Sequence, residues 1–131
     1  MLPTGFAGRR VVIVDDEPYI VKILSFKLRL SGLIPFEASS GEEALRLVRE
    51  EQPDLLLLDI NLTPGLSGFD ICRIIKENPA TSHLPVVMLT ARILPSEREQ
   101  GLALGATSYV TKPFSTKALL LEIEKALARS S

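Results

Sequence analysis

The stretch Val11-Val12-Ile13-Val14-Asp15-Asp16 decides the fold. Its four β-branched residues are too short a run for a helix and predict a strand that is buried on both faces. A second run, Leu55-Leu56-Leu57-Leu58-Asp59, also ends in an aspartate and is fully apolar before it. Because strands covered on both faces are typical of parallel sheets, both runs predict interior strands, and the second predicts a central one.

Helical and strand patterns alternate along the rest of the chain. Apolar residues at helical spacing predict helices over residues 17–30, 40–52, 69–78, 95–104 and 115–128. Further strands are predicted over residues 34–38, 85–90 and 108–110. Pro35 cannot donate to a ladder, which puts the second strand at a sheet edge. Five strands joined by crossover helices predict an α/β, doubly wound parallel sheet with helices on both faces.

Composition excludes several classes of protein. The chain has 131 residues, 46% of them hydrophobic and 24% charged, which is typical of one globular domain. Its net charge of −1 leaves no basic excess, so we expect no direct nucleic-acid binding. The single cysteine, Cys72, excludes an intramolecular disulfide and a cysteine-built zinc site.

The ends of the sequence carry no targeting pattern. There is no signal peptide and no apolar run near the ~20 residues that cross a bilayer, so we expect no membrane association and a cytoplasmic location. We expect an N-terminal lead-in over residues 1–9, one domain over 10–128 and a C-terminal tail over 129–131, with no effector domain after it.

Polar side chains stand where the predicted strands end. They are Asp15, Asp16, Asp59, Thr90 and Lys112. In open parallel sheets, ligands bind beyond the carboxyl ends of the strands, where the strand order reverses. Three carboxylates there would repel one another unless a cation neutralised them, and Mg²⁺ prefers such oxygen ligands. A carboxylate nucleophile, a metal, an ammonium and a hydroxyl together form a site that can receive a phosphoryl group.

These motifs resemble the receiver domain of two-component response regulators. The resemblance covers residues 10–128 and rests on four motifs in the family's order: Val14-Asp15-Asp16-Glu17, Leu58-Asp59, Leu89-Thr90-Ala91 and Lys112-Pro113-Phe114. It implies a flavodoxin-like (βα)5 fold with strand order 2-1-3-4-5. It also implies a phosphorylation-dependent signalling switch, which is not an enzyme beyond its own phosphorylation and dephosphorylation.

The resemblance assigns roles to individual residues. Asp59 would be the phospho-acceptor, receiving its phosphoryl group from a sensor histidine kinase or a phosphotransfer protein. Asp16 and Asp59 would bind Mg²⁺ directly and Asp15 through water, while the backbone carbonyl of Asn61 would supply another ligand.

The resemblance also implies how the switch works. Thr90 and Lys112 would contact the phosphoryl oxygens, and Tyr109 would be the switch aromatic that turns inward as Thr90 closes. The face formed by the fourth helix, fifth strand and fifth helix would change for a partner or an output domain. Receivers of this type often form homodimers when phosphorylated, and the bond before Pro113 is usually cis.

The loop after Asp59 departs from the family pattern. Pro64 is five residues after Asp59 and Gly68 nine after, each one residue later than usual. This longer loop leaves open how the region meets a kinase. Arg92, two residues after Thr90, stands where the family varies and is expected, with Asn61, to tune the lifetime of the phosphate.

Two other functions remain as alternatives. Asp59-Ile60-Asn61-Leu62-Thr63 partly resembles the signature of haloacid-dehalogenase-like phosphatases, although Asn61 replaces the second aspartate and the chain has no room for a cap. The other alternative is a phosphorylation-independent pseudo-receiver, a binding module whose pocket has lost its chemistry. Pseudo-receivers typically lack an acidic residue or the lysine, and this sequence keeps them all.

Overall fold

A computed structural model describes residues 6–62, 65–90, 94–112 and 114–130. Strands and helices alternate as the sequence predicts. The elements are β1 Arg10–Val14, α1 Pro18–Leu30, β2 Ile34–Ala38, α2 Gly41–Glu51, β3 Leu55–Asp59, α3 Gly68–Glu77, β4 Val86–Thr90, α4 Pro95–Ala103, β5 Ser108–Thr111 and α5 Thr116–Ser130.

The five strands form one parallel sheet in the order β2-β1-β3-β4-β5. The order confirms the flavodoxin-like topology. β2, which contains Pro35, lies at one edge, and β3 is the central strand, as predicted. Chain order reverses between β1 and β3, so the cleft at their carboxyl ends is the switch point at which such sheets bind ligands.

Two apolar layers cover the sheet. One side packs against α2 and α3 through residues that include Leu56, Leu58, Ile71 and Cys72. The other packs against α1 and α5 through Leu55, Leu57, Leu24 and Ile123, among others. Side chains of β3 alternate between the two layers and all are buried, which explains why its sequence is continuously apolar.

The stretch Ser40-Gly41-Glu42-Glu43 matches a capping box, which predicts that a helix begins after Ser40. The Ser40 hydroxyl accepts a hydrogen bond from the Glu43 amide at 3.1 Å, as predicted. The Glu43 carboxylate accepts from the amide of Ser39, one residue before the cap. The first contact satisfies a backbone donor that the first turn of α2 would otherwise leave unpaired, and the second satisfies the amide just before the cap.

One part of the α1 prediction needs correction. The helical spacing of Val21, Leu24 and Leu28, with Ile20 and Ile23 beside them, predicts the face of α1 that packs on the core. The first three are buried, but Ile23 is 47% exposed and lies outside the core layer. Ser25 takes a buried position on the same helix. None of the helices in the described part of the chain has both the length and the apolar character needed to cross a bilayer.

Candidate phosphorylation site

The register of the sheet brings the strand-end side chains to one edge. Val14 pairs with Leu58 and Asp59 with Leu89, so Asp15, the residue after Val14, follows β1 level with the end of β3. Parallel strands end at the same edge, and the polar residue that follows each strand therefore meets its neighbours there. The local sequence sets where each strand ends, and parallel pairing then brings the ends together.

Three carboxylates converge at this edge. One oxygen each from Asp15, Asp16 and Asp59 lies within 4.8 Å of the others. Asp15 is fully buried and Asp59 is 4% exposed. The second oxygen of Asp15 has a structural role, because its Oδ1 accepts a hydrogen bond from the amide of Glu17 at 3.0 Å.

Lys112 supplies a positive charge to the cluster. Its Nζ lies 2.6 Å from Oδ2 of Asp15 and 3.6 Å from Oδ2 of Asp59. Burial lowers the pKa of this lysine, but the hydrogen bond to Asp15 and the charges of both aspartates outweigh it, so the net pKa is raised. Lys112 therefore stays protonated and neutralises one of the three carboxylates.

Asp59 is held in a defined orientation. Its Oδ1 accepts a hydrogen bond from the amide of Asn61 at 3.1 Å, while its Oδ2 faces Lys112. Burial raises the pKa of Asp59 most, and the charge of Asp15 raises it further. The Asn61 hydrogen bond and Lys112 act against that rise without cancelling it. The carboxyl group is thus a partly desolvated nucleophile with one oxygen fixed by the backbone.

The donor set fits a hard divalent cation. Three carboxylates and one ammonium together carry a net charge of about −2. Oxygen atoms are the only donors that the three aspartates offer, which is the chemistry that Mg²⁺ selects. Asp15, Asp16 and Asp59 could hold the ion between them, and the predicted convergence of the three residues is confirmed.

Thr90 and Tyr109 belong to the two strands beside the acidic cluster. Thr90 is buried at the end of β4, and the amide of Lys112 donates to its carbonyl at 2.6 Å. The hydroxyl of Tyr109 donates to α4, where the carbonyl oxygens of Glu97 and Arg98 lie at 3.2 and 3.3 Å. Tyr109 therefore contacts the fourth helix through its hydroxyl.

The loop after Asp59 returns to the strand at Gly68. The Gly68 amide donates to the carbonyl of Ile60, and a Cβ on Gly68 would lie 2.4 Å from the carbonyl oxygen of Asp59. Glycine is thus required for this close approach. The predictions for Pro64, Arg92 and the cis bond before Pro113 fall on or next to residues outside those that the structure describes.

Sequence reasoning missed the surroundings of the site. The hydroxyl of Tyr19 donates to the Glu17 carboxylate at 2.7 Å, beside a cavity of about 530 Å³ that Lys112 also lines. The only available signal was that Tyr19 is an apolar residue off the predicted core stripe of α1. A second missed residue, Gly101, packs against Tyr109.

Comparisons with known proteins agree with this geometry. A family model described as a response regulator receiver domain matches residues 11–124. A Chloroflexus aurantiacus protein assigned as a response regulator is 36% identical, with a TM-score of 0.87, and the match covers 93% of this chain and 99% of that one. Vibrio cholerae chemotaxis protein CheY4 is 29% identical, with a TM-score of 0.86 and coverage of 92% and 99%. NtrX from Brucella abortus is 29% identical over 94% of this chain but only 28% of its own, with a TM-score of 0.87.

Proposed function

Because the chain belongs to the response regulator receiver domain family, we propose that it is a switch controlled by phosphorylation of Asp59. Receiver domains are signalling switches and not metabolic enzymes, so membership argues against the phosphatase alternative. The observation that carries the proposal is the position of Asp59. Its Oδ2 faces Lys112 inside an acidic cluster, while its Oδ1 is held by the Asn61 amide.

The proposed reaction moves one phosphoryl group in two steps. Oδ2 of Asp59 attacks the phosphorus of a phosphohistidine on a histidine kinase or phosphotransfer protein, a P–O bond forms, and the P–N bond breaks with its electron pair leaving on the imidazole. Water later attacks the acyl phosphate, which releases inorganic phosphate and restores the carboxylate. The domain needs no further substrate for either step.

Each polar residue of the site has a proposed role. Asp15, Asp16, Asp59 and the carbonyl of Asn61 would hold Mg²⁺, which receiver domains bind at an acidic site and which neutralises charge on the transferred group. Lys112 would move from the Asp15 carboxylate toward a phosphoryl oxygen, because it already lies within reach of both aspartates. The Thr90 hydroxyl would donate to another phosphoryl oxygen.

The phosphodonor would dock on α1. Tyr19, Ile23, Phe26 and Leu30 occupy one face of this helix, at spacings of four, three and four residues, and are 47–66% exposed. We name this set the α1 stripe. The cavity beside Tyr19 and Ile23 extends to Lys112, so the stripe is continuous with the phosphorylation site. Such a surface suits the apolar face of a partner helix.

The response would appear on the face of α4, β5 and α5. Leu94, Leu102 and Leu121 are each more than 40% exposed on this side, which supports its use as a contact surface. Partner binding or homodimerisation after phosphorylation would cover these leucines. We propose the cytoplasm as the compartment, since histidine kinases transfer their phosphoryl groups there.

The test is intact mass spectrometry after incubation with acetyl phosphate and Mg²⁺. The parent protein should gain one phosphoryl group, the gain should be lost in Asp59→Asn and in EDTA, and it should persist in Asp54→Asn. Asp54 is a suitable control because it lies before β3, where its Oδ2 accepts from the Arg10 amide. An unmodified parent protein that also binds no Mg²⁺ would reject the proposal in favour of a pseudo-receiver.

A further inference from the structure

α4 is held on the domain by very little buried surface. Of its nine residues, all of which the structure describes, only Gly101 is buried. Each of the other four helices buries at least four residues. Leu94 and Leu102 are both more than 40% exposed, and Leu104, just after the helix, is only partly buried against the core. The attachment of α4 therefore depends on what packs against Gly101.

Tyr109 fills the space over Gly101. A Cβ on Gly101 would lie 1.5 Å from the hydroxyl oxygen of Tyr109 and 2.7 Å from its Cζ, so any side chain there would displace the ring. The hydroxyl donates to the carbonyl oxygens of Glu97 and Arg98, and the Arg98 guanidinium carbon lies 5.7 Å from the ring centre. Glycine is unfavourable inside a helix relative to alanine, and this packing supplies a reason for it.

The backbone links Tyr109 to the proposed phosphorylation site. Tyr109 lies beside Met88 in the sheet, and strand residues two apart share a face, so Thr90 lies on the same face as Tyr109. Lys112 follows Tyr109 by three residues and its amide donates to the Thr90 carbonyl. A rearrangement at Thr90 is therefore next to the contact that holds α4.

We propose that Gly101 is a positioning residue. Because it has no side chain, the Tyr109 ring can pack over it, and this packing holds α4 on the sheet. The inference rests on the proposed phosphorylation switch, in which Tyr109 responds to Thr90, and adds the residue of α4 that sets the resting position of Tyr109. A rearrangement at Thr90 that unseats Tyr109 frees the helix. Conversely, a change that unseats Tyr109 shifts the equilibrium toward the phosphorylated arrangement.

Two measurements that need no phosphorylation test the packing of Tyr109 over Gly101. The chain has two tyrosines and no tryptophan, so Tyr19→Phe leaves Tyr109 as the only fluorophore of these types. In that background Gly101→Ala should decrease acrylamide quenching, because the displaced ring turns inward, whereas Gln100→Ala, an exposed neighbour, should leave quenching unchanged. Tyr109→Ala should speed amide exchange in α4 by roughly five- to thirtyfold, the effect of losing a few ordinary contacts, and leave α3 unchanged. Unchanged quenching in Gly101→Ala, or unchanged exchange in Tyr109→Ala, would overturn the proposal that Gly101 positions Tyr109 and that Tyr109 holds α4.

A double-mutant cycle tests the coupling. With acetyl phosphate and Mg²⁺, Gly101→Ala should raise the phosphorylation rate several-fold when Tyr109 is present and have no effect in a Tyr109→Ala background. An equal effect in both backgrounds, or no effect in either, would overturn the coupling. A parent protein that takes up no phosphoryl group and binds no Mg²⁺ would instead reject the proposed function, while quenching and exchange would still show whether Tyr109 is held over Gly101.

Discussion

At the scale of single residues, Lys112 supplies the positive charge that offsets the buried carboxylates of Asp15 and Asp59. Its ammonium lies 2.6 Å from one buried carboxylate and 3.6 Å from another, and its own side chain is only 16% exposed. An ion pair with so little access to water is weakly screened, so removing one partner leaves charge that solvent cannot compensate. The lysine therefore supports the fold as well as the proposed chemistry.

Lys112→Met should destabilise the protein by about 3 kcal/mol at neutral pH in EDTA, because Asp15 and Asp59 lose their cation. The measurement is urea denaturation. Lys22→Met is a matched control, since Lys22 pairs with Glu37 at 2.8 Å but is 75% exposed, and it should cost less than about 1 kcal/mol. Equal losses in the two variants would contradict this account of the site.

Gly68→Ala should cost about 2 kcal/mol of stability and slow phosphorylation. The added Cβ would lie 2.4 Å from the Asp59 carbonyl oxygen and 2.6 Å from Cα of Ile60, both backbone atoms that carry the acceptor residue. Gly41→Ala is the control, since its nearest neighbours are side-chain atoms of Ile71 and Leu66, which can adjust. Thermal unfolding measures the stability and the acetyl phosphate reaction measures the rate. A larger loss of stability or rate in Gly41→Ala than in Gly68→Ala would contradict the expected effect.

Residues at strand ends could be predicted because their position follows from local sequence. Asp15 and Asp59 come directly after apolar runs and Lys112 comes directly after β5, and parallel pairing brings such residues together whatever the helices do. The contact between Gly101 and Tyr109 could not be predicted in this way. It depends on where α4 lies against β5, which no local pattern specifies.

At the scale of elements, α1 is apolar on two sides. Val21, Leu24 and Leu28 form its buried face, and the α1 stripe forms a second, exposed one. Sequence periodicity could identify the helix and its core residues, but not which apolar neighbours would stay outside, as Ile23 shows. An exposed apolar stripe of this length costs solubility, so a partner that covers it gives it a physical reason.

Phe26→Ser should slow phosphoryl transfer from a phosphorylated histidine kinase that phosphorylates the parent protein, by roughly tenfold, because a large apolar anchor is lost. The reaction with acetyl phosphate should not change, since this small donor needs no docking surface. Leu121→Ser, in α5 and 48% exposed, is the control and should keep both rates. Equal slowing with both donors would show that the variant damages the site and not the docking.

The start of α3 has a pH-dependent cap. The Asp70 carboxylate accepts from the amide and the hydroxyl of Ser67, each at 3.0 Å, and Ser67 accepts from the Asp70 amide in return. The hydrogen bond from the Ser67 amide, followed by that from its hydroxyl, lowers the pKa of Asp70. A lowered carboxyl pKa stabilises the fold above the unfolded value of about 3.9 and is lost as pH falls through the folded value.

Asp70→Asn should therefore be less stable than the parent protein near neutral pH, and the difference should narrow as pH falls through the folded pKa of Asp70. Urea denaturation at a series of pH values measures both free energies of unfolding. A difference that stayed constant down to acid pH would mean that the carboxylate charge contributes nothing to the cap.

At the scale of the whole molecule, the sheet holds the acidic cluster in place, whereas α4 is the part of the surface that is free to change. The interior strands β1, β3 and β4 are almost completely buried and apolar up to their polar ends, which makes them a firm platform for the acidic cluster. α4 is the opposite case, with one buried residue. A domain with a rigid site and one weakly held helix is suited to converting a local chemical change into a change of surface.

The most direct test of the central claim is to identify the phosphorylated residue. Borohydride reduces an aspartyl phosphate to homoserine with release of phosphate, and peptide mass spectrometry then locates the product. After incubation with acetyl phosphate and Mg²⁺, we expect homoserine at position 59 alone, and none when EDTA replaces the metal. Homoserine at Asp15 or Asp16, or phosphate on the exposed His83 with none at Asp59, would contradict the account.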